Sequence, residues 1–558
     1  MTDAAAPREA GLAPPRPAPA GRDVFVTLDR GTATSAAAVV ARVDRRWRLL
    51  AAAAVPAPAA ASTPGAVPAE PGAVPDALVA LVLDRVRSAD PALADELGLG
   101  ARATAPPLVE AAGSPLAQAA VLAATEAGRR RLEADASAAG WRTIGASAER
   151  LDPLETTRLA TRPDVAALIV GTDDPPTADE RELVGELVAL AAGVAERRPG
   201  LPIILVGAAA ARASDFPLGT KITAVPRPHG AADVDLRALL AARRAGPADA
   251  RHALVTATAT LAEVLDLRVE LLEVGMSGAL RARAEPGSVA GEPATIAAME
   301  APSAVLGLVD DDAALDRVEA WATMGVDRAR LRDRLAELRL APWADLGGDG
   351  ALLRAAALRA SVERLAASTA ELDGTPPDLV VLAGGAWSSI PAPAALLVLA
   401  DAMRRPGVVQ VALDAARLLA PLGTIEDAAE RARVVGELVP DALVPLGTLV
   451  IPRGVRPGRQ AGQLRLVVGD APVELALAGG RLALVDLPPG QAGSVELGFR
   501  APVDLGVRGR RFALRATGGL AGLVVDLRDV PLRLPDRTDA RRDVLGSWEA
   551  ALWPDRDR

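Results

Sequence analysis

Cysteine is absent from this chain, which excludes disulfides, iron–sulfur clusters and thiolate zinc sites. Tyrosine is absent too, and lysine occurs once, at Lys221, so a P-loop, Schiff-base or catalytic lysine has almost nowhere to be. The two histidines, His229 and His252, are not paired at ligand spacing, and no metal site is expected of them. Neither a Gly-x-Ser-x-Gly elbow nor a His-Glu-x-x-His motif occurs. No stretch reaches the roughly 18 uninterrupted apolar residues of a spanning helix, and the opening "MTDAAAPREAGLAPPRPAPAGRD" lacks the apolar region of a signal peptide. A cytoplasmic protein with no membrane partner is expected. Blocks of basic residues with interleaved aromatics are missing as well. With 62 Lys and Arg against 71 Asp and Glu the net charge is −9, so nucleic acid is not an expected partner.

Half of the residues are apolar while aromatics are 2%, so the core must be built from Ala, Leu and Val through the shape complementarity of aliphatics. At roughly 150 residues per domain, 558 residues suggest two large lobes with an appendage, or three to four domains. Residues 1–22 are Pro- and Ala-rich and predicted disordered, since they bury too little to offset ordering entropy. From Val24 to Val55 two apolar strands flank the turn "DRGTATS", and "DRRWR" reads as a second hairpin turn. The Pro/Gly/Ala stretch 56–75 reads as an extended loop. "DVAALIVGTDDPPTADERELVGELVALAAGVAERRPGLPIILVG" alternates strand, helix and strand, the pattern of a parallel sheet buried on both faces. Short alternating runs broken by Gly and Pro, from "GTLVIPRGVRPG" to about Leu534, read as an all-β appendage.

Three strand-turn elements stand in order: "LDRGTATS", "LEVGMSGA" and "LAGGAW". Turns of this kind can cradle phosphate, because backbone N–H groups and small hydroxyls meet its oxygens and Gly permits close approach. Their order resembles the actin, Hsp70 and sugar-kinase ATPase superfamily. "AGGAWSSIPAPAALLVLADAMRRPGVVQVALDAARLLAPLGTI", "VPLGTLVIPRGVRPG", "LPPGQAGSVELGFR" and "GGLAGLVVDLRDVPLRLPD" are similar to the glutamate mutase L family, also called MutL and unrelated to the mismatch-repair protein of that name. The resemblance runs from about Asp23 to Trp553 and is most specific after Asp378.

It implies an α/β fold of two RNase H-like lobes, 23–265 and 266–440, then a β domain over 446–535 and a helix or tail over 536–558. It also implies an accessory, chaperone-like companion of an adenosylcobalamin-dependent carbon-skeleton mutase, with ATP and Mg²⁺ as the only cofactors the turns suggest. On that plan Asp29, Gly31, Thr32, Thr34 and Ser35 cradle the phosphates, with Gly275 and Ser277 facing them. Glu273 orients metal-bound water as the catalytic carboxylate, and Gly384 with Gly385 flanks adenosine.

The chain departs from the family pattern at the chemistry. The first turn keeps Asp29, Gly31 and hydroxyls but has Ala36 in place of a lysine. The second has Met276, Gly278, Ala279 and Leu280 where the family carries Gly, two Thr and a closing Asp. Weak or lost nucleotide binding and negligible hydrolysis are therefore expected. Competing readings are a polar hairpin turn at Asp29–Ser35, an exposed turn carboxylate at Glu273, and plain strand-to-helix geometry at Gly384 and Gly385. In "GTDDPP", Asp173 and Asp174 stand where parallel sheets bind ligands, while Thr177 with Glu180 has capping-box spacing, the reading we favour. For the whole chain the alternatives are a non-catalytic scaffold on the same fold and a small-molecule kinase, the latter disfavoured because no catalytic base follows the second turn.

Overall fold

The computed structural model describes residues 23–31, 33–56, 73–100, 106–112, 118–138, 141–148, 165–171, 178–226, 236, 239–240, 248–275, 278–287, 297–299, 312–341, 346–369, 374–469 and 471–553. Strands β1 (Val24–Arg30), β2 (Thr34–Val43) and β3 (Arg46–Pro56) form an antiparallel meander. The β2–β3 turn is the one expected in "DRRWR": Asp44 and Arg45 both take positive φ (50° and 66°), the backbone of a two-residue type I′ hairpin. Strand β4 (Leu108–Ala112) pairs parallel to β1. Helix Ala73–Ala89 packs on this sheet, and begins inside the stretch expected as loop.

Between β4 and its next neighbour the chain builds a separate, all-parallel sheet. Its strands are β5 (Gln118–Ala123), β6 (Arg142–Ser147), β7 (Val165–Gly171), β8 (Ile203–Val206) and β9 (Ile222–Val225), in the order β6-β5-β7-β8-β9. Runs such as "LIV" and "IILV" are wholly buried because helices cover both faces. The turn carrying Asp173, Asp174 and Thr177 lies outside the described residues. The chain then returns as β10 (Ala248–Asp249), parallel to β4, and closes the first sheet in the order β10-β4-β1-β2-β3.

The second lobe repeats that order. Strands β11 (Val269–Val274), β12 (Ala279–Ala284) and β13 (Ala297–Met299) form a meander, and β14 (Leu379–Ala383) and β15 (Gly407–Asp414) add in parallel beside β11. Two sheets of order 3-2-1-4-5 in one chain are the duplicated RNase H-like lobes of the actin- and Hsp70-type ATPase fold. The second sheet continues through β16 (Leu443–Ile451), beyond which β22 (Leu523–Asp526) and β19 (Leu482–Val485) extend it. The remaining C-terminal strands, β17 (Gln460–Val468), β18 (Ala471–Ala478), β20 (Ala492–Asp504) and β21 (Arg508–Thr517), make an antiparallel four-stranded sheet in the order β18-β17-β20-β21. Helix Thr538–Leu552 closes the described chain.

The lobes share one core. A single apolar cluster takes Phe25, Val40 and Trp47 from the first lobe, Leu271, Val381 and Leu438 from the second, and Leu254, Leu261 and Leu422 from the helices between them. Those helices, Ala250–Leu265 and Leu419–Gly423, meet so closely that a Cβ at Gly423 would run into the backbone carbonyl of Ala253. Strand β3 adds polar ties to helix Ala428–Ala442. Asp441 accepts from Arg48 Nε at 2.7 Å and from the Leu49 amide at 3.1 Å, and Glu437 accepts from the Trp47 amide at 2.7 Å. Among the described residues no helix is long and apolar enough to cross a membrane.

Candidate functional site

The two hairpins that open the lobes end in the same turn. The Gly31 amide donates to the Thr34 carbonyl at 3.0 Å, and the Gly275 amide donates to the Gly278 carbonyl at 2.9 Å. Each turn follows a carboxylate two residues earlier, Asp29 in β1 and Glu273 in β11, and each carboxylate residue pairs with a parallel strand, at Ala111 and Ala383. The turns meet at the seam between the lobes, close enough for Asp29 to act electrostatically on Glu273.

The Gly-Gly element completes the floor. Gly384 follows β14 with φ +92°, a conformation that favours glycine, and starts the short helix Gly385–Ser388. A Cβ at Gly384 would lie 2.5 Å from the Val274 carbonyl and 2.9 Å from Glu273 Oε1, so the Glu273 carboxylate rests against this turn. A Cβ at Gly385 would lie 3.6 Å from Thr34 Oγ1 of the opposite lobe. The structure thus brings together Asp29, Gly31, Thr34, Glu273, Gly275, Gly384 and Gly385. Ser35 is buried in β2, in register with Arg30, and Thr32 and Ser277 lie outside the described residues.

Sequence reading missed two arginines and an aspartate. Arg417, at φ +55° between β15 and helix Leu419–Gly423, reaches from the second lobe into the first turn. Its Nε donates to Asp29 Oδ2 at 2.6 Å, and its Nη1 donates to Thr34 Oγ1 at 2.7 Å and to the Thr34 carbonyl at 3.0 Å. Its Nη2 stands 2.7 Å from where a Cβ at Gly31 would be. Arg251 does the reverse. It lies in the first turn of the helix that follows β10 in the first lobe, and its guanidinium occupies the space a Cβ would need at Gly278 in the second. Each turn is therefore clasped by an arginine from the other lobe, and the glycines that would admit a phosphate admit a guanidinium. Asp414, at the end of β15, accepts from the amides of Leu418 and Leu419 at 2.9 and 3.0 Å and so holds the short segment that carries Arg417.

Burial dominates the electrostatics. It raises Asp29 above the usual aspartate range against the attraction of Arg417. It pushes Glu273 up to about 7, with Arg251 and Arg417 opposing and Asp29 adding to the rise. It pushes Asp414 up to about 6 despite the two amides that favour its charge. A carboxylate poised near neutrality suits proton transfer in an open site. Here Glu273 is half-buried, and its carboxylate rests against the Gly275 and Gly384 turns.

The sign of the pH dependence follows. Between pH about 4.5 and about 7 the folded chain holds a proton on Glu273 that the unfolded chain has lost, so this group's contribution to stability is greatest below 4.5 and is lost as pH rises through 7. Because Glu273 keeps some solvent contact, the effect is set at about 2 kcal/mol. Glu273→Gln, neutral throughout, should unfold in urea with a stability that exceeds wild type at pH 8 by about that amount and matches it near pH 4. Wild-type and variant stabilities that run parallel from pH 4 to 8 would show that the carboxylate does not carry this shift.

No family model and no curated protein matches the chain. Among solved structures it is similar to the (R)-2-hydroxyglutaryl-CoA dehydratase component A of Acidaminococcus fermentans, at 9% identity over 73% of this chain and 99% of that one, with a TM-score of 0.28. An acetone carboxylase, in a nucleotide-free structure titled for ATP-dependent acetone carboxylation, is 11% identical over 82% of this chain and 81% of its own, with a TM-score of 0.32. The ethanolamine utilization protein EutJ from Carboxydothermus hydrogenoformans is 14% identical over 74% and 90%, with a TM-score of 0.24. At such identities and scores nothing about ligand, reaction or partner carries over. The assignment of the fold rests on the duplicated strand order.

Proposed function

We propose that this chain is a degenerate ATPase-fold protein in which the nucleotide turns have become an interlobe lock, and that it works by holding a partner and not by turning over ATP. The observation that carries this reading is the reciprocal clasp: Arg417 on Asp29 and Thr34, and Arg251 against Gly278. ATP with Mg²⁺ does not fit these residues. A γ-phosphate needs the backbone approach that the two guanidiniums fill. The carboxylate that would serve a metal, Asp29, is already paired at 2.6 Å. The shared core and the hydrogen bonds of Arg417 to Asp29 and Thr34 across the seam also leave the lobes little freedom to part. A kinase reading is disfavoured, since the sequence offers no convincing catalytic base after the second turn.

The resemblance of the sequence to the glutamate mutase L family supports a cobalamin-dependent mutase subunit as the partner, with this chain in an accessory, chaperone-like role. Calorimetric titration of Mg·ATP into the full chain tests the cleft half of the proposal. The expected result is no heat up to about 1 mM ligand, a free energy weaker than about −4 kcal/mol. Saturable binding below about 100 µM that disappears in Asp29→Ala would overturn it. The partner half is tested by tagged recovery from the native host with and without ATP. A mutase subunit should come down equally in both, and its absence from both would remove the named partner.

A further inference from the structure

Strand β21 ends the four-stranded C-terminal sheet and, among the described residues, pairs only with β20. Thr448 ties down its last residue, donating to the Thr517 carbonyl at 2.8 Å and accepting from its amide at 3.0 Å. Along the rest of this ten-residue strand, "RGRRFALRAT", every second N–H and C=O turns away from β20, and among the described residues no strand receives them. Four exposed arginines line this edge: Arg508, Arg510, Arg511 and Arg515. Among the described residues none of them has a carboxylate partner. Nearby arginines are neutralised, Arg465 by Glu474 and Glu496, and Arg453 by Asp504. An unneutralised basic edge thus stands on a chain whose net charge is −9.

Charge on an edge strand commonly serves to prevent aggregation, and the opposite edge shows how little that requires. Strand β18 carries Pro472, which lacks an N–H, and one acid, Glu474, and no cluster of like charges. Four unpaired arginines within eight residues exceed that need and repel one another. They flank Phe512 and Leu514, which are only partly buried where they pack on the sheet's core.

We propose that β21 is the docking edge for an acidic, extended segment of a partner protein, which adds to the sheet as a further strand. Main-chain hydrogen bonds to β21 would supply registration, and carboxylates alternating along the segment would meet Arg511 and Arg515 on one face and Arg508 and Arg510 at the rim. The inference goes beyond the locked-cleft reading and does not rest on it, because it concerns a different sheet and a different readout.

Fluorescence polarisation with the full-length protein tests it. The probe is a labelled ten-residue peptide of alternating Glu and Val, matched to the length of β21. Binding is expected with a Kd of about 10–100 µM at low ionic strength, weakened about tenfold by physiological salt. A peptide with proline at alternate positions, which removes the N–H groups of one edge, should bind at least about tenfold more weakly. The double variant Arg511→Glu, Arg515→Glu should lose the acidic peptide and gain a Lys–Val counterpart, a gain that a misfolded protein could not produce. Failure of the acidic peptide to bind, equal binding of the proline peptide, or tighter binding of a single-stranded oligonucleotide or of phosphatidylserine vesicles would each overturn the proposal.

Discussion

Arg417→Met is expected to destabilise the protein by about 3 kcal/mol at pH 8, and by distinctly less at pH 5. The side chains of Arg417 and Asp29 are 11% and 12% exposed, so the pair has given up most of its water. Removing the cation leaves Asp29 buried near Glu273 and Asp414, of which Glu273 still feels Arg251. The loss is relieved by protonation. Asp29 is already raised by burial, and without Arg417 it rises further, so the folded variant takes up a proton as pH falls while the unfolded chain, near 3.8, does not. Stability that the variant lacks at pH 8 therefore returns as pH falls. Methionine keeps the length of the aliphatic stem, so little of the effect comes from lost packing. In an Asp29→Asn background the same replacement should cost about 1 kcal/mol, because the uncompensated charge is gone. Equal losses in both backgrounds, or a loss that does not shrink on acidification, would mean that the clasp is not what holds the first turn.

The fold of the site was readable and its contents were not. "LDRGTATS", "LEVGMSGA" and "LAGGAW" each announced a strand ending in a small-residue turn, and their order placed one hairpin in each lobe. That information is local, since alternation, glycine and hydroxyls set the strand ends. The arginines that occupy the turns come from elsewhere in the chain. Arg417 lies 388 residues from Asp29, and nothing in "DAARLLAPLG" distinguishes it from the other basic residues of an arginine-rich sequence. Its positive φ and the anchoring of its loop by Asp414 exist only after β15 and the following helix are packed. The one available signal was negative: the second turn had lost its hydroxyls and closing acid, and the structure sets the Arg251 guanidinium against its Gly278. The parallel sheet of the inserted segment was plain from its unbroken apolar runs. The division of the C-terminal strands between the second lobe's sheet and a sheet of their own depends on pairings that alternation alone does not specify.

A second lock, invisible in the same way, fixes the C-terminal region to the second lobe. Arg359 lies 1% exposed in helix Gly348–Ser368, donating to Asp401 at 2.7 Å and to Glu549 at 3.0 Å, and its guanidinium stands 5.8 Å from the Trp321 ring centroid. Asp401 also takes Arg528 at 2.7 Å. Arg528 in turn bonds Asp526 at 2.7 Å and covers Trp548 at 4.4 Å. With Arg404, which pairs with Asp526, three arginines and three carboxylates thus compensate one another with almost no water, and Glu549 places the last helix, Thr538–Leu552, in that network. Arg359→Met should cost about 3–5 kcal/mol, since it takes a buried cation both from Glu549, which also accepts from the Thr323 hydroxyl at 2.9 Å, and from Asp401, which also meets Arg528. The damage should be local first, because the Arg359–Glu549 pair ties the last helix to helix Gly348–Ser368. Limited proteolysis should cut near residues 536–553 in the variant well before wild type, and a double variant with Glu549→Gln should recover about half of the loss. If the single variant instead unfolds as one cooperative unit with no early cleavage at the C-terminal helix, then Arg359 supports the second lobe as a whole. The route by which β22, and through it the β21 docking edge, is held to the two-lobed body would then lie in the Arg404–Asp526 pair at 2.5 Å.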